Sequence, residues 1–248
     1  MEPPQNPVAD LAEVPKPAAI MLTSTDYLDF SQTDHASIFS EDEPVWAALG
    51  RIGSYLEQLL DSVEGDLIQG TVHERAVVGN RVYIAPDATV EANAVIKGPA
   101  WIGSGCTVRS GAYIRANVIA GDDCVLGNSC EFKNCLLFNH CEVPHFNYVG
   151  DSILGHKAHF GAGVICSNVR LDRNNVVVRD GEGGLINTGL RKFGAIVGDH
   201  TEVGCNSVLS PGSILGRDSI VYPCTSWQGV LKSGSIVKTR QSQQIVER

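Results

Sequence analysis

The chain has 248 residues, 43% of them hydrophobic, and carries a formal charge of -9 at neutral pH. That length and apolar content allow one large domain or two small ones with a sizeable core. The acidic balance excludes general nucleic-acid binding, which needs a basic face. With no apolar run of membrane-spanning length and no basic-then-apolar leader, a cytoplasmic chain without a membrane span is expected.

Residues 1–40 begin Pro- and Ala-rich and poor in aromatics, which predicts a disordered or loosely docked arm. Over 41–65, acids and Pro precede Val45, Leu49, Ile52, Leu56, Leu59 and Leu60 at helical spacing, so an amphipathic helix is expected to cap one end of whatever follows. From Val78 onward nearly every sixth residue is apolar: Val78, Ile84, Val90, Ile96, Ile102, Val108, Ile114, Ala120, Leu126, Phe132, Phe138, Pro144. Two residues before most of these marks stands a small side chain, such as Ala88, Ala94, Ala100 or Cys106. A period of six suits neither a helix nor a long amphipathic strand. It predicts short strands joined by tight corners and stacked as a parallel β-helix over 66–248, with the marks inward.

The period slips at Pro144, and the next marks are Leu154 and Phe160. A departure from local regularity is where function is expected. A second break spans 169–192, where 179–184 separates Val176-Val-Val from Leu185-Ile-Asn and predicts a hairpin thrown out from the coil. The pattern resumes at Val197, Val203, Leu209, Leu215, Val221 and Trp227. None of the eight cysteines is spaced C-x-x-C. Cys106 and Cys124, eighteen apart, are expected to stack inside as small apolar residues rather than to bind metal.

Lys97, Arg115 and Lys133 each follow an apolar mark and lie eighteen residues apart. If three hexads make a coil, they form a column at the strand spacing of about 5 Å. Like charges that close repel, so the column calls for an anion, and Arg with Lys suits phosphate. Beyond it come the runs Pro144-His-Phe-Asn-Tyr-Val-Gly-Asp151 and Gly161-Ala-Gly-Val-Ile-Cys-Ser-Asn168.

These runs and the hexads resemble the hexapeptide-repeat acyltransferases. The nearest likeness is to the acetyltransferase domain of the bifunctional glucosamine-1-phosphate acetyltransferase/N-acetylglucosamine-1-phosphate uridyltransferase. The resemblance implies an all-β, left-handed parallel β-helix and a homotrimer with sites between subunits. It places the catalytic base at His145. Substrate contacts fall on Arg115, Lys133, Tyr148 and Asn168, with Glu131 at a family carboxylate that orients a ring or binds the sugar. His159 stands where the family has an Asn in the amino-sugar pocket. Around the acyl-CoA site, Cys205 replaces a Ser and Tyr222 a small residue, while Arg191 and Lys192 are placed to meet CoA phosphates. The implied reaction is acyl transfer, acetyl-CoA as donor, to an amino-sugar phosphate or nucleotide amino-sugar. Physically, an imidazole of ordinary pKa of about 6.5 can accept the proton of an attacking amine near neutrality.

No Gly-rich nucleotidyltransferase motif appears in the sequence. Two other readings remain open on the residues: a non-catalytic trimeric module that partners a separate sugar nucleotidyltransferase, and a zinc hydratase using His140, His145, His156 and His159.

Overall fold

The computed structural model describes residues 22–180, 184–240 and 242–247. The hexads wind into a parallel β-helix whose marks pair at intervals of one coil, Val90 with Val108 and Val108 with Leu126. Ile84, Ile102 and Val108 are fully buried inside the coil, as the six-residue period demands. Three walls result. The first is a nine-stranded parallel sheet from Thr71–Val72 to Ile236–Val237; the second runs from Val77–Val78 to Ser226–Trp227 and the third from Val82–Ile84 to Val230–Leu231. Cys106 and Cys124 stack within, the Cys124 amide donating to Cys106 Sγ at 3.3 Å.

The slip lies elsewhere than the bare period suggests. Glu131–Leu137 and Tyr148–Leu154 each run as one strand from the second wall into the third, so one residue is lost at that corner and the coil shortens to seventeen: Leu126 pairs with Val143, and Phe132 with Val149. The inward marks are therefore Leu137 and Val143 rather than Phe138 and Pro144. Phe138 is buried on the outside instead, against the rings of Phe30 and Phe39.

That outer cluster also decides where the N-terminal segment sits. The outward positions of the third wall are apolar, with Ile119, Leu136, Ile153, Ile196 and Ile214 all buried, and a stripe of that kind needs a cover. Leu22, Leu28, Ile38 and Trp46 pack on it together with Ile52, Leu56 and Leu60 of the helix Ile52–Asp61. The helix lies along the third wall, touching the strands Ala100–Ile102, Val118–Ala120 and Glu131–Leu137, and not over the end of the coil. Of the arm expected over 1–40, residues 22–40 carry this packed cluster; 1–21 lie outside the described residues. The 169–192 excursion contains the antiparallel pair Val177–Arg179 and Leu185–Asn187, and its base adds Val176, Val178 and Phe193 to the same outer core. The first two walls keep open outer faces, on which Phe146 and Val77 are 61% and 60% exposed.

Candidate active site

The uninterrupted corner between the second and third walls gathers most of the expected substrate residues. Register places Lys133 beside Gly150 and Glu131 beside Tyr148, with Tyr113 and Ile114 one coil before. Arg115 and Lys133 thus stand on one ladder at about 4.8 Å per step, with Lys97 at its upper end. The column is real but its lower cations are not bare. Arg115 Nη1 donates to Glu131 Oε1 at 2.9 Å, and Lys133 Nζ to Asp151 Oδ1 at 2.7 Å.

Asp151, 4% exposed, is the hub of the cluster. Besides Lys133 it accepts Asn134 Nδ2 at 3.1 Å and Asn168 Nδ2 at 2.6 Å. Asn168 Nδ2 also lies 3.1 Å from Tyr148 Oη, to which it donates. Burial pushes the Tyr148 hydroxyl above its ordinary pKa, so the phenol stays a neutral donor near pH 7. A Cβ on Gly150 would sit 2.5 Å from Tyr148 Oη; the glycine leaves the phenol room to fold over the strand.

Asn134 and Asp151 were not among the expected site residues, though a signal for them exists. Asn117, Asn134 and Asp151 take φ of 63°, 48° and 49° at the same corner of successive coils, a conformation that Asn and Asp tolerate better than most side chains. Together with Asn168 they recur at intervals of seventeen, and their side chains form a ladder of hydrogen bonds, Asn117 to Asn134 at 3.4 Å and Asn134 to Asp151.

His145 ends the first-wall strand Glu142–His145, in register with Asn128. Buried Asn147 fixes the turn that follows, accepting the His145 amide at 3.0 Å and donating to the Gly161 carbonyl at 2.7 Å. The imidazole is exposed at the edge between the first and second walls. His159 stands on the first wall, with its Nδ1 2.7 Å from Glu202 Oε2. It borders a cavity of about 380 Å³, with Cys205 and Tyr222 also in its lining. Gly161 and Gly204 form the floor there, and Lys238 Nζ lies 4.5 Å over the Tyr222 ring.

Arg191 is not with them. It lines a cavity of about 470 Å³ beside the hairpin, with Arg170 and three asparagines, and Lys192 is exposed next to it. The residues expected to hold CoA are thus divided between the first wall and the hairpin.

The four histidines of the hydratase reading are dispersed. His140 and His200 each meet the His156 ring edge-on at 5.3 Å between ring centroids, while His145 and His159 stand apart from that group. Among the described residues no group of three or more His, Cys, Asp or Glu is arranged to hold a metal ion. Nor is any helix among them long and apolar enough to cross a membrane.

Residues 96–183 match the family model of the GMPPB C-terminal domain. A bifunctional sugar-1-phosphate nucleotidylyltransferase/acetyltransferase of Sulfurisphaera tokodaii is 32% identical over 205 residues, covering 82% of this chain and 51% of that one. The bifunctional protein GlmU of Methanococcus maripaludis is 40% identical over 176 residues, 71% of this chain and 41% of that one. The chain spans about half the length, or less, of these two relatives. Among solved structures, the polysialic acid O-acetyltransferase OatWY aligns over 72% of this chain and 92% of its own, at 15% identity and a TM-score of 0.27.

Proposed function

We propose that this chain is a CoA-dependent acyltransferase whose acceptor is an amino sugar bearing phosphate, such as glucosamine-1-phosphate or a nucleotide amino-sugar, with acetyl-CoA as donor. The observation that carries the reading is the corner cluster: two cations on one ladder, Arg115 held by Glu131 and Lys133 by buried Asp151, with an amide donor on the same Asp151 carboxylate and a neutral phenol tied to that amide. Preorganised donors of that kind suit a phosphorylated, hydroxyl-rich ligand. Arg115 and Lys133 hold the phosphate, while Tyr148, Asn168 and Glu131 contact the sugar.

In the reaction the sugar nitrogen attacks the thioester carbonyl, the new C–N bond forms, the C–S bond breaks and CoA leaves as the thiol. His145 takes the proton released by the nitrogen and hands it to the departing sulfur. The groove beside His159, Cys205 and Tyr222, largely apolar in its lining, suits the acyl end of the donor. The site is completed in a homotrimer in the cytoplasm; the open first and second walls, with exposed Phe146 and Tyr113, favour such packing.

A second reading, a non-catalytic trimeric module that docks a separate sugar nucleotidyltransferase, is favoured by the division of the residues expected to hold CoA between the first wall and the hairpin. Thiol release from acetyl-CoA in the presence of glucosamine-1-phosphate separates the two: the enzyme releases CoA only with an acceptor, and the module releases none.

A further inference from the structure

The ladder that carries Lys97, Arg115 and Lys133 does not end at Gly150. Val149 pairs with Cys166, Cys166 with Leu209 and Leu209 with Trp227, so the residues that follow them, Gly150, Ser167, Ser210 and Gln228, continue the column one strand per step. Below the cations the same outward column therefore changes to two hydroxyls and an amide. Ser167 and Ser210 lie about 10 and 14 Å from the Lys133 level, at two and three strand spacings.

A cavity of about 500 Å³ opens over these three residues and under the base of the hairpin, within the roughly 300–1,000 Å³ range of small-molecule sites. Its side is formed by Arg170 and Arg179. Asp172 holds the Arg170 guanidinium through two contacts, at 2.9 and 2.6 Å, so Arg179 supplies the net positive charge. Leu171, fully exposed, stands at the rim. Ser167 and Val169 in this lining flank Asn168, the residue that bonds Tyr148 and Asp151, so the cavity adjoins the sugar-phosphate cluster on its lower side.

We propose that this hairpin cavity binds a nucleoside diphosphate group, and that the group belongs to the acceptor, which is then a nucleotide-linked amino sugar rather than a sugar monophosphate. The inference rests on the acyl-transfer reading of the Arg115/Lys133 cluster. With the sugar-side phosphate at that cluster, the rest of the nucleotide runs down the ladder. Arg179 and the Ser hydroxyls meet its phosphate and ribose, Gln228 offers a donor and an acceptor to the base edge, and Leu171 covers an apolar face. CoA carries the same nucleoside diphosphate chemistry. The acceptor is favoured because the cavity shares a ladder with the phosphate cluster, whereas Cys205 and Tyr222 line a groove on another wall.

Titration calorimetry on the full chain with UDP, GDP, dTDP, CoA and glucosamine-1-phosphate tests this, with Arg179→Ala and Ser210→Leu compared to wild type. Arg179 is exposed, and circular dichroism confirms that each variant is folded; Arg179→Ala alone suffices if Ser210→Leu is not. At least one nucleoside diphosphate is expected to bind, and each variant to weaken it roughly ten- to hundredfold, the usual worth of a charge-assisted contact or a filled pocket. CoA and glucosamine-1-phosphate affinities are expected to stay within about twofold. If the variants weaken CoA and no nucleoside diphosphate binds, the acceptor assignment is overturned and the cavity serves the donor. Unchanged affinities throughout overturn the cavity itself. Nucleotide binding that depends on Arg179, in a protein that transfers no acyl group to any amino sugar, upholds the cavity and overturns the acyl-transfer reading.

Discussion

Replacing Asp151 by alanine removes the acceptor for three donors at once, Lys133 Nζ, Asn134 Nδ2 and Asn168 Nδ2. Breaking one partner of a buried ion pair costs about 3–5 kcal/mol. The Lys133 side chain is 22% exposed and that of Asp151 5%, so water recovers part of the ammonium's loss and the lower figure, about 3 kcal/mol, applies. Alanine must also hold the φ of 49° recorded at this position, which adds roughly 1 kcal/mol. A total of about 4 kcal/mol corresponds to a fall in melting temperature of roughly 8–16 °C for a chain of this size. Asp151→Asn keeps the shape and the tolerated backbone and loses only the charge, so it is expected to fall by less than half as much. Thermal unfolding followed by far-UV circular dichroism reads both. If Asp151→Ala melts within about 2 °C of wild type, the carboxylate is not the hub of the corner and the proposed preorganisation of Lys133 and Tyr148 fails.

His145→Ala is expected to lower kcat by roughly 10²- to 10⁴-fold with little change in acceptor binding, the usual contribution of a positioned base; full activity in the folded variant would move the base elsewhere. Burial pushes the His35 imidazole down to about 4. The unfolded chain, with an ordinary His, then takes up a proton between pH 6.5 and 4 that the folded chain refuses. Stability should therefore fall by up to about 3 kcal/mol as pH drops through that window, and urea midpoints of His35→Phe should lack this part of the slope. Six cysteines are buried and two, Cys205 and Cys224, are exposed. A thiol reagent is expected to label two groups in the native protein and eight after denaturation; fast labelling of Cys106 or Cys124 would contradict the packed coil.

The coil was legible because burial repeats with the geometry: one mark per strand, three strands per turn, and the same inward address for Ile84, Ile102 and Val108. The cation column was legible for the same reason, since its spacing equals one coil. The loss of one residue inside Glu131–Leu137 and Tyr148–Leu154 was harder to place, because Leu137 and Phe138 are both apolar and both buried, one inside and one outside. Composition cannot distinguish those two addresses. The third wall's outer stripe was hidden similarly, since positions such as Ile119 and Ile196 sit beside the marks and read as part of the strand. Asp151 stands within the run that carried the resemblance, yet its partners Asn134 and Asn168 lie seventeen residues to either side, an interval that has meaning only once the coil is known to shorten.

The account stands or falls on acyl transfer by the purified full chain. Thiol release from acetyl-CoA is measured with glucosamine-1-phosphate and with nucleotide-linked amino sugars, in wild type and in Lys133→Ala. The account predicts acceptor-dependent release, with Lys133→Ala raising the KM for the phosphorylated acceptor because the charge-assisted phosphate contact is lost. Release that is absent with every acceptor, or equal for phosphorylated and unphosphorylated amino sugars, would contradict it.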